Sequence, residues 1–250
     1  MRADRPDCRP LAGGTDVLVG LNLDHDRPAG VLDLTGVAEL RTWRREGEDL
    51  VIGAGVTYTE LMGDELAADL PALAAAARTV GSPQIRNRGT IGGNLGTASP
   101  AGDALPPLLA AGAWVELRSA SASRTVALVD FLVGPKRNLL AADELIVAVR
   151  LRPSRVPQTF MKIGPRNAMV IAVASLALEL DGERGEARVA FGSAAPTARL
   201  VRSAAGGADA LAEAVVAAAS PIDDVRGTAA YRRHALGVLA RRAYARCEAA

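Results

Sequence analysis

The sequence predicts an α+β fold, and two observations support that prediction. Segments of strand character and segments of helix character are mixed along the 250 residues without a strict βαβ alternation. Hydrophobic residues make up 49% of the chain, which is enough to bury the core of one large domain or of two small ones. No repeat of the solenoid type is present, so the sequence does not predict a repeat architecture.

Strands are predicted where short β-branched or apolar runs are bounded by turn residues. Residues 40–49 alternate and then turn, as one arm of a hairpin would, and Pro153 ends the last strand of the first half. Asp181 and Gly182 stand near a second hairpin turn. The predicted strands are residues 30–34, 49–56, 114–119, 124–129, 143–153, 159–163, 168–180 and 186–195.

Helices are predicted from capping signals and from alanine-rich runs. Thr57 and Glu60 have the spacing of a capping box, so a helix is expected to follow through Leu61 and Leu66. The other predicted helices are residues 71–80, 103–113, 208–219 and 228–246. Residues 81–102 are rich in Gly, Ser and Pro and have no hydrophobic period, which predicts a long ordered loop.

The charge and hydropathy of the chain narrow the classes of function. The formal net charge is +1, with 29 basic and 28 acidic residues, so no general attraction to nucleic acid or to an anionic membrane is expected. No apolar run reaches the length of a membrane span, and the N-terminal MRADRPDCRP has no hydrophobic signal core. These features predict a cytoplasmic protein that does not insert into a membrane.

The cysteines and histidines do not predict a metal site. Cys8 and Cys247 stand at opposite ends of the chain and cannot supply the ligand set of an iron–sulfur cluster or a structural zinc. His25 and His234 are also far apart and are interpreted as exposed polar residues. No metal is expected on this chain.

Two doubled-glycine segments carry the main functional signal: LAGGTDVLVG at residues 11–20 and TIGGN at residues 90–94. Glycine allows a positive φ, and consecutive N–H groups then point toward one anion, of which a pyrophosphate is the common example. Neither segment matches the Rossmann or the P-loop pattern. A single doubled glycine is more often only a tight turn, but the two together favour a pyrophosphate site.

Asp103 has two interpretations that the residues alone leave open. It would cap the helix that follows, in which Pro106 and Pro107 fit the first turn. It would equally accept hydrogen bonds from the hydroxyl groups of a ribose or a ribityl chain.

Five segments, in the same order along the chain, resemble the FAD-binding subunit of the molybdenum hydroxylases, the family of xanthine dehydrogenase, molybdenum carbon monoxide dehydrogenase and related aldehyde and aromatic hydroxylases. They are PLAGGTDVLV, QIRNRGTIGGNLGTASPAGDALPPLLAAGA, DELIVAVRLRP, TFMKIGPRNAMVIAVAS and DDVRGTAAYRRHAL. The resemblance extends over nearly the whole chain.

The resemblance implies an FAD-binding domain of the p-cresol methylhydroxylase type, with two subdomains, at residues 1–153. It implies a small α+β domain of the carbon monoxide dehydrogenase flavoprotein C-terminal type at residues 154–250, with residues 154–158 at the junction. Both glycine segments would hold the pyrophosphate of FAD. The implied FAD-binding residues are Leu11, Ala12, Gly13, Gly14, Thr15, Asp16, Val17, Leu18, Val80, Thr90, Ile91, Gly92, Gly93, Asn94, Thr97, Asp103, Ile146 and Lys162.

Four basic residues keep two interpretations. Lys162 is either a surface lysine at a strand end, or, as the resemblance implies, a cation near the isoalloxazine that would stabilise the reduced flavin. Arg86, Arg88 and Arg166 are either solvated or in contact with a neighbouring subunit.

The chain departs from the family pattern in two ways. It starts almost directly at the first glycine segment, where the family has a strand and a helix upstream, which implies either a shortened subunit or a start that is set late. It also has no cysteine-bearing insert, which excludes the variant of this subunit that carries an extra iron–sulfur cluster.

The resemblance implies an oxidoreductase role without a catalytic residue on this chain. FAD would take electrons from 2Fe–2S clusters of a small partner subunit and pass them to NAD or another acceptor, while a large molybdenum-cofactor subunit hydroxylates the substrate. A dimer of heterotrimers is expected, and GPKRNLL at residues 134–140 resembles the purine-hydroxylating branch, so xanthine or a related purine is favoured. The alternatives are a free-standing FAD-dependent oxidoreductase and a non-catalytic scaffold on the same fold.

Overall fold

The computed structural model describes residues 4–5, 7–25 and 27–250 and has a mixed arrangement of strands and helices. The strands are β1 (Cys8–Leu11), β2 (Gly30–Asp33), β3 (Trp43–Glu46), β4 (Asp49–Gly53), β5 (Trp114–Arg118), β6 (Ser123–Ala127), β7 (Leu132–Gly134), β8 (Arg137–Asn138), β9 (Leu145–Leu151), β10 (Gln158–Ile163), β11 (Ala174–Asp181), β12 (Glu186–Gly192) and β13 (Arg199–Ala204). The helices are α1 (Val17–Asn22), α2 (Tyr58–Leu61), α3 (Asp64–Asp69), α4 (Pro71–Arg78), α5 (Pro83–Arg86), α6 (Ile91–Thr97), α7 (Leu105–Ala110), α8 (Leu128–Phe131), α9 (Ala208–Ala218) and α10 (Ala229–Glu248).

The first half of the chain is organised around a five-stranded sheet. Its strand order is β3-β4-β9-β5-β6, and every neighbouring pair is antiparallel. Buried side chains of the sheet, such as Ile52 and Val115, share one core with Leu73 of α4 and with Leu105 and Leu109 of α7. This core fixes the segments between α4 and α7 that carry the second glycine motif.

The second half is a four-stranded antiparallel sheet, ordered β10-β11-β12-β13, with helices on both faces. Leu176 and Leu178 of β11 face α9 and α10, whereas Ala177 faces the core of the first half. Seven of the eight residues of β11 are buried because both faces are covered. The two halves therefore share a packed boundary, formed largely by α7 against β11 and β12.

The N-terminal segment is a small parallel pair, β1 and β2, joined through α1. No described residue before Leu40 is buried, and Leu18, Val19 and Val31 are largely exposed. The first glycine segment follows β1 directly, so this thin layer carries it.

Two features are absent from the part of the chain that the structure describes. No helix there is long and apolar enough to cross a membrane. No group of three His, Cys, Asp or Glu side chains in the same part of the chain is placed to hold a metal ion.

Most of the predicted elements are confirmed, with shifts of a few residues at their ends. The arm at residues 40–49 is half of the hairpin β3–β4, and the turn near Asp181 joins β11 to β12. Thr57 and Glu60 form the predicted capping box, in which the Thr57 hydroxyl accepts from the Glu60 N–H at 3.2 Å and a Glu60 carboxylate oxygen accepts from the Thr57 N–H at 2.7 Å.

Three predictions of secondary structure were wrong. Residues 81–102 are not a loop throughout, because Ser82 and Thr90 each accept a capping hydrogen bond and begin α5 and α6. The helix predicted through Leu66 is broken at Gly63, which is the N-cap residue of α3. The strand predicted over residues 168–180 begins only at Ala174. Strands β1, β7, β8 and β13 and helices α1 and α8 were not predicted.

Arg232 of α10 is a fully buried arginine that ties three segments together. Its guanidinium donates to the carbonyls of Val173 and Ser193, both at 2.7 Å, and to Asp224 Oδ1 at 2.5 Å. Ser193 has a positive φ of 63° and donates its N–H to the carbonyl of Pro100 at 2.8 Å. Arg232 thus supports the end of β12 where that strand contacts the first half of the chain.

Replacing Arg232 by Ala is expected to destabilise the protein by about 3 kcal/mol, because two buried carbonyls and a carboxylate lose their donor. The free energy of unfolding in urea measures this. Arg233→Ala changes the exposed neighbour on the same helix and is expected to have almost no effect. Equal losses in the two variants would contradict this role of Arg232.

Candidate functional site

The first glycine segment is a turn between β1 and α1, and at both Gly13 and Gly14 a larger residue would be sterically unfavourable. Gly14 has a φ of +75°, which glycine adopts without strain. A Cβ atom on Gly13 would lie 1.8 Å from the carbonyl oxygen of Arg88, so the backbone of Gly13 packs directly on the segment that leads to the second glycine motif. The two glycine segments are therefore brought together in space.

The N–H groups of this turn are unpaired within the described protein. From Ala12 to Asp16, none of them donates a hydrogen bond to another described residue. The same residues are half-buried or exposed, so these donors remain accessible. Such a run of donors suits an anion such as a pyrophosphate.

The second glycine segment is a helix and not an open loop. The Thr90 hydroxyl caps α6 by accepting from the Gly93 N–H at 3.0 Å, and the N–H groups of Ile91 and Gly92 donate to the carbonyls of Val56 and Ala54. The N–H of Asn94 bonds to the carbonyl of Thr90. The expectation that this segment offers free N–H groups to an anion was therefore wrong, because the protein already uses them.

The glycines of α6 permit close packing on one side and close approach on the other. A Cβ atom on Gly92 would lie 2.5 Å from the Cβ of Ala54, so glycine is required against the sheet. Gly93 and Gly96 lie on the exposed side, and a Cβ built on Gly96 would lie 3.8 Å from Ile146 Cδ1. The result is a surface from which few side chains project, formed by Gly93, Gly96, Thr97 and Ile146.

A buried ion pair joins the two halves of the chain beside this surface. Lys162 Nζ of β10 lies 2.5 Å from Asp103 Oδ2 and 3.2 Å from the carbonyl of Thr79, and both charged side chains are more than 90% buried. The Thr79 hydroxyl lies 3.4 Å from the same Asp103 oxygen. The sequence did not identify Thr79 as a residue of this site. The only signal there was its position next to Val80, which the resemblance implied to be FAD-binding.

Asp103 does not cap α7, so that interpretation was wrong. The N-cap residue of α7 is Ala104, which has no side-chain capping bond. Burial raises the pKa of Asp103 to about 6, although Lys162 and Thr79 act in the opposite direction. Asp103 Oδ1 is buried without a partner among the described residues, as is Asn94 Oδ1, and the Asn94 amide packs against Gly102 next to Asp103.

The structure gives side-chain contacts for three of the four basic residues whose roles were open. Lys162 is buried, so the surface interpretation was wrong, and its charge is matched by Asp103. Arg86 donates to the carbonyls of Val80 and Gly81 at the end of α4. Arg166 donates to the carbonyls of Ala168 and Met169 in its own loop. Val80 follows Thr79, whose carbonyl accepts from Lys162, so its backbone lies next to the buried ion pair. The side chain of Leu18 is exposed on α1.

Two protein-family models match successive parts of the chain. The model of the FAD-binding domain in molybdopterin dehydrogenase matches residues 1–154, and that of the carbon monoxide dehydrogenase flavoprotein C-terminal domain matches residues 159–247. The xanthine dehydrogenase FAD-binding subunit of Escherichia coli O157:H7 is 38% identical over 204 residues, which cover 78% of this chain and 70% of that protein. The carbon monoxide dehydrogenase medium chain of Afipia carboxidovorans is 33% identical over 261 residues, which cover 97% and 90%.

A solved structure of carbon monoxide dehydrogenase from Hydrogenophaga pseudoflava aligns with a TM-score of 0.90 at 30% identity and covers 97% of this chain and 90% of its own. The fold and the site thus define an FAD-binding flavoprotein of the oxidoreductase class. The chain belongs to the FAD-binding subunits of the molybdenum hydroxylase family, the group that includes the xanthine and carbon monoxide dehydrogenases.

The residues present fit FAD. The unpaired N–H groups from Ala12 to Asp16 are donors of the kind a diphosphate needs, and the unpartnered oxygens of Asn94 and Asp103 are acceptors for hydroxyl groups. The bare surface at Gly93 and Gly96 allows a flat or extended ligand to approach the backbone.

Replacing Gly13 by Ala is expected to weaken FAD binding at least tenfold, because the added Cβ would force the first glycine segment away from Arg88. Quenching of flavin fluorescence on titration measures the affinity. Gly36→Ala is the matched control, since a Cβ there meets no atom within 4 Å. Equal affinities in Gly13→Ala and the wild type would contradict the placement of this segment.

The raised pKa of Asp103 predicts a pH dependence of stability. Between its ordinary pKa of 3.8 and the folded value of about 6, the unfolded chain has lost the proton that the folded chain retains. The contribution of Asp103 to the free energy of unfolding should therefore fall as pH rises through this window. Urea unfolding at pH 4, 5, 6 and 7 measures it.

The double variant Asp103→Asn, Lys162→Met is the control for this pH dependence, because it removes the titrating carboxyl without leaving an unpaired buried ammonium. It should lack the decline between pH 4 and 6. The same decline in the double variant and in the wild type would assign the effect to other groups.

Proposed function

We propose that this chain is the electron-transferring FAD subunit of a three-subunit molybdenum hydroxylase. In this proposal FAD receives electrons from 2Fe–2S clusters of a small subunit, and a large subunit with the molybdenum cofactor hydroxylates the substrate. When bound, FAD supplies the chemistry of accepting two electrons and returning them to an acceptor. Two observations carry the proposal. The N–H groups of residues 12–16 are unpaired among the described residues, and one buried oxygen each of Asn94 and Asp103 has no partner there.

The chain's own residues would bind and orient the cofactor. We infer that residues 12–16 hold the diphosphate, that Asn94 and Asp103 accept from hydroxyl groups, and that Thr97, Ile146 and Val80 line the same surface. Thr90, Ile91 and Gly92 would support this surface from behind. Lys162 would keep Asp103 ionised and fixed in position. Because the two charges are paired, the flavin would be exposed to the Lys162 charge only together with the opposite charge of Asp103.

The iron–sulfur clusters are assigned to a partner because the chain has two cysteines, which are too few for a cluster with four cysteine ligands. The printed name of the Afipia relative, a medium chain of carbon monoxide dehydrogenase, supports an assembly with further chains. We propose a dimer of heterotrimers in the cytoplasm, with domains divided at residues 153 and 154. The end of β9 just before Pro153 supports that division.

Xanthine or a related purine is the substrate class we propose, and NAD is the proposed acceptor. The relatives named for xanthine dehydrogenase, at 38% identity, support the purine. Residues 134–140 support the choice of a purine less than their resemblance suggested, because they have a structural role. Asn138 donates its amide to the carbonyls of Leu95 and Gly96, at 3.3 and 2.9 Å, so this hairpin supports the end of α6.

Native purification from the source cells tests the proposal, with mass spectrometry, a visible spectrum and metal analysis of the product. Two partner chains with molybdenum, iron and flavin absorbance are expected, together with NAD-linked oxidation of xanthine. A yellow protein that purifies alone and is active would favour the free-standing oxidoreductase. A colourless protein that does not take up FAD would favour the scaffold, and both results would contradict the proposal.

A further inference from the structure

The end of α6 leaves backbone carbonyls that the helix itself does not satisfy. The last four carbonyls of an α-helix have no partner within the helix. In α6 the N–H of Ala98 donates to the carbonyl of Asn94 at 3.0 Å, and the carbonyls that follow must find donors elsewhere. Ala98 also has a left-handed φ of 46°, a conformation that usually falls to glycine at helix ends. The end of α6 therefore depends on contacts with other parts of the chain.

The hairpin of β7 and β8 supplies the donors. The side-chain Nδ2 of Asn138 lies 3.3 Å from the carbonyl oxygen of Leu95 and 2.9 Å from that of Gly96. The N–H of Lys136 donates to the carbonyl of Ala98 at 3.1 Å. Asn138 stands 42 residues after Gly96, so a distant segment of the chain completes this helix.

The side-chain amide of Asn138 is used within the protein at both of its atoms. The Nδ2 group has two hydrogens, one for each of the two carbonyls. The Oδ1 atom accepts from the N–H of Leu140 at 3.1 Å, which fixes the orientation of the amide. Because both hydrogens are engaged by α6, an effect of Asn138 on a ligand is transmitted through that helix.

The turn that Asn138 holds also carries the bare surface of the candidate site. Gly96 belongs to both, since its carbonyl accepts from Asn138 and its Cα lies on the exposed side, near Ile146. Thr97 follows directly and is the last residue of α6. Three of the seven residues of this helix are glycines, which have a low intrinsic tendency to form a helix. The surface therefore keeps its shape only if the end of α6 is held from outside.

We propose that Asn138 is a positioning residue for FAD, which holds the last turn of α6 in the form that binds the cofactor. The proposal rests on the proposed FAD site and adds to it the hairpin of β7 and β8, which lies outside both glycine segments. An amide is required in this role. A carboxylate would bring an acceptor against two carbonyl oxygens, and an aliphatic side chain would leave both without a donor.

Asn138→Leu in the full chain tests the proposal, because leucine has a similar shape and no donor. The affinity for FAD should fall about tenfold, since binding must then order a helix end that has lost its hydrogen bonds. At a saturating concentration of FAD, the visible circular dichroism of the bound flavin should also differ from that of the wild type. Leu139→Ala is the matched control on the same hairpin, because this side chain is exposed, and it should change neither quantity.

A second substitution tests whether the effect passes through the end of α6. Ala98→Gly relieves the left-handed φ at the C-cap without changing Asn138. Alone it should alter the FAD affinity little, whereas combined with Asn138→Leu it should recover part of the lost affinity. Strictly additive effects of the two substitutions would show that Asn138 does not act through this helix end.

The melting temperature of each FAD-free variant shows whether it is folded. If Asn138→Leu does not fold, Asn138→Ser takes its place, because serine keeps one donor. The same losses, smaller in size, are then expected. An Asn138→Ser variant that folds and binds FAD as the wild type does would contradict the proposal.

The outcomes separate this inference from the function beneath it. If the wild type binds FAD and Asn138→Leu gives the same affinity and the same flavin spectrum, only this inference is wrong. A lower melting temperature with unchanged affinity and spectrum would make Asn138 a stabilising residue alone, which also contradicts the inference. If the wild type does not bind FAD, the proposed function is wrong as well.

Discussion

The ion pair between Lys162 and Asp103 is the interaction on which the arrangement of the site depends. Both charges are buried, and removing them from water costs more than an isolated pair returns unless further groups satisfy them. Thr79 meets part of that need with its carbonyl and its hydroxyl, which fixes the end of α4 to β10. Because Asp103 belongs to one half of the chain and Lys162 to the other, the cofactor site cannot keep its shape unless the halves stay docked. One oxygen of Asp103 is used in this docking, and the other has no partner among the described residues.

The two doubled glycines answer different physical needs. At Gly13 and Gly14 the backbone must lie against another backbone and take a left-handed φ, and the result is a turn with free donors. At Gly92 the need is packing against Ala54, and the helix that follows uses its own N–H groups. Similar sequence patterns therefore produce a turn with unpaired donors in one place and a helix with a bare surface in the other.

The sequence was sufficient to predict those elements whose formation depends on neighbouring residues in the chain. The capping box at Thr57, Pro71 at the start of α4 and the alternating hairpin strands needed no tertiary information. It was insufficient where the cause is distant, because α6 has poor helix formers and is held by hydrogen bonds to the carbonyls of Ala54 and Val56, in the segment that follows β4. The role of Lys162 was missed for the same reason, since its partner lies 59 residues earlier in the chain.

The thin N-terminal layer has a thermodynamic consequence. No described residue from β1 to β2 is buried in either core, so local opening of this segment costs far less than global unfolding of the protein. The donors of the first glycine turn therefore stand on the least protected part of the described chain. A ligand that binds only the closed form of this segment stabilises it by mass action. Amide hydrogen exchange would then divide the protein into two parts. The amides of the two cores would exchange slowly with or without cofactor, whereas those of the N-terminal segment would exchange fast and become protected as the concentration of FAD rises.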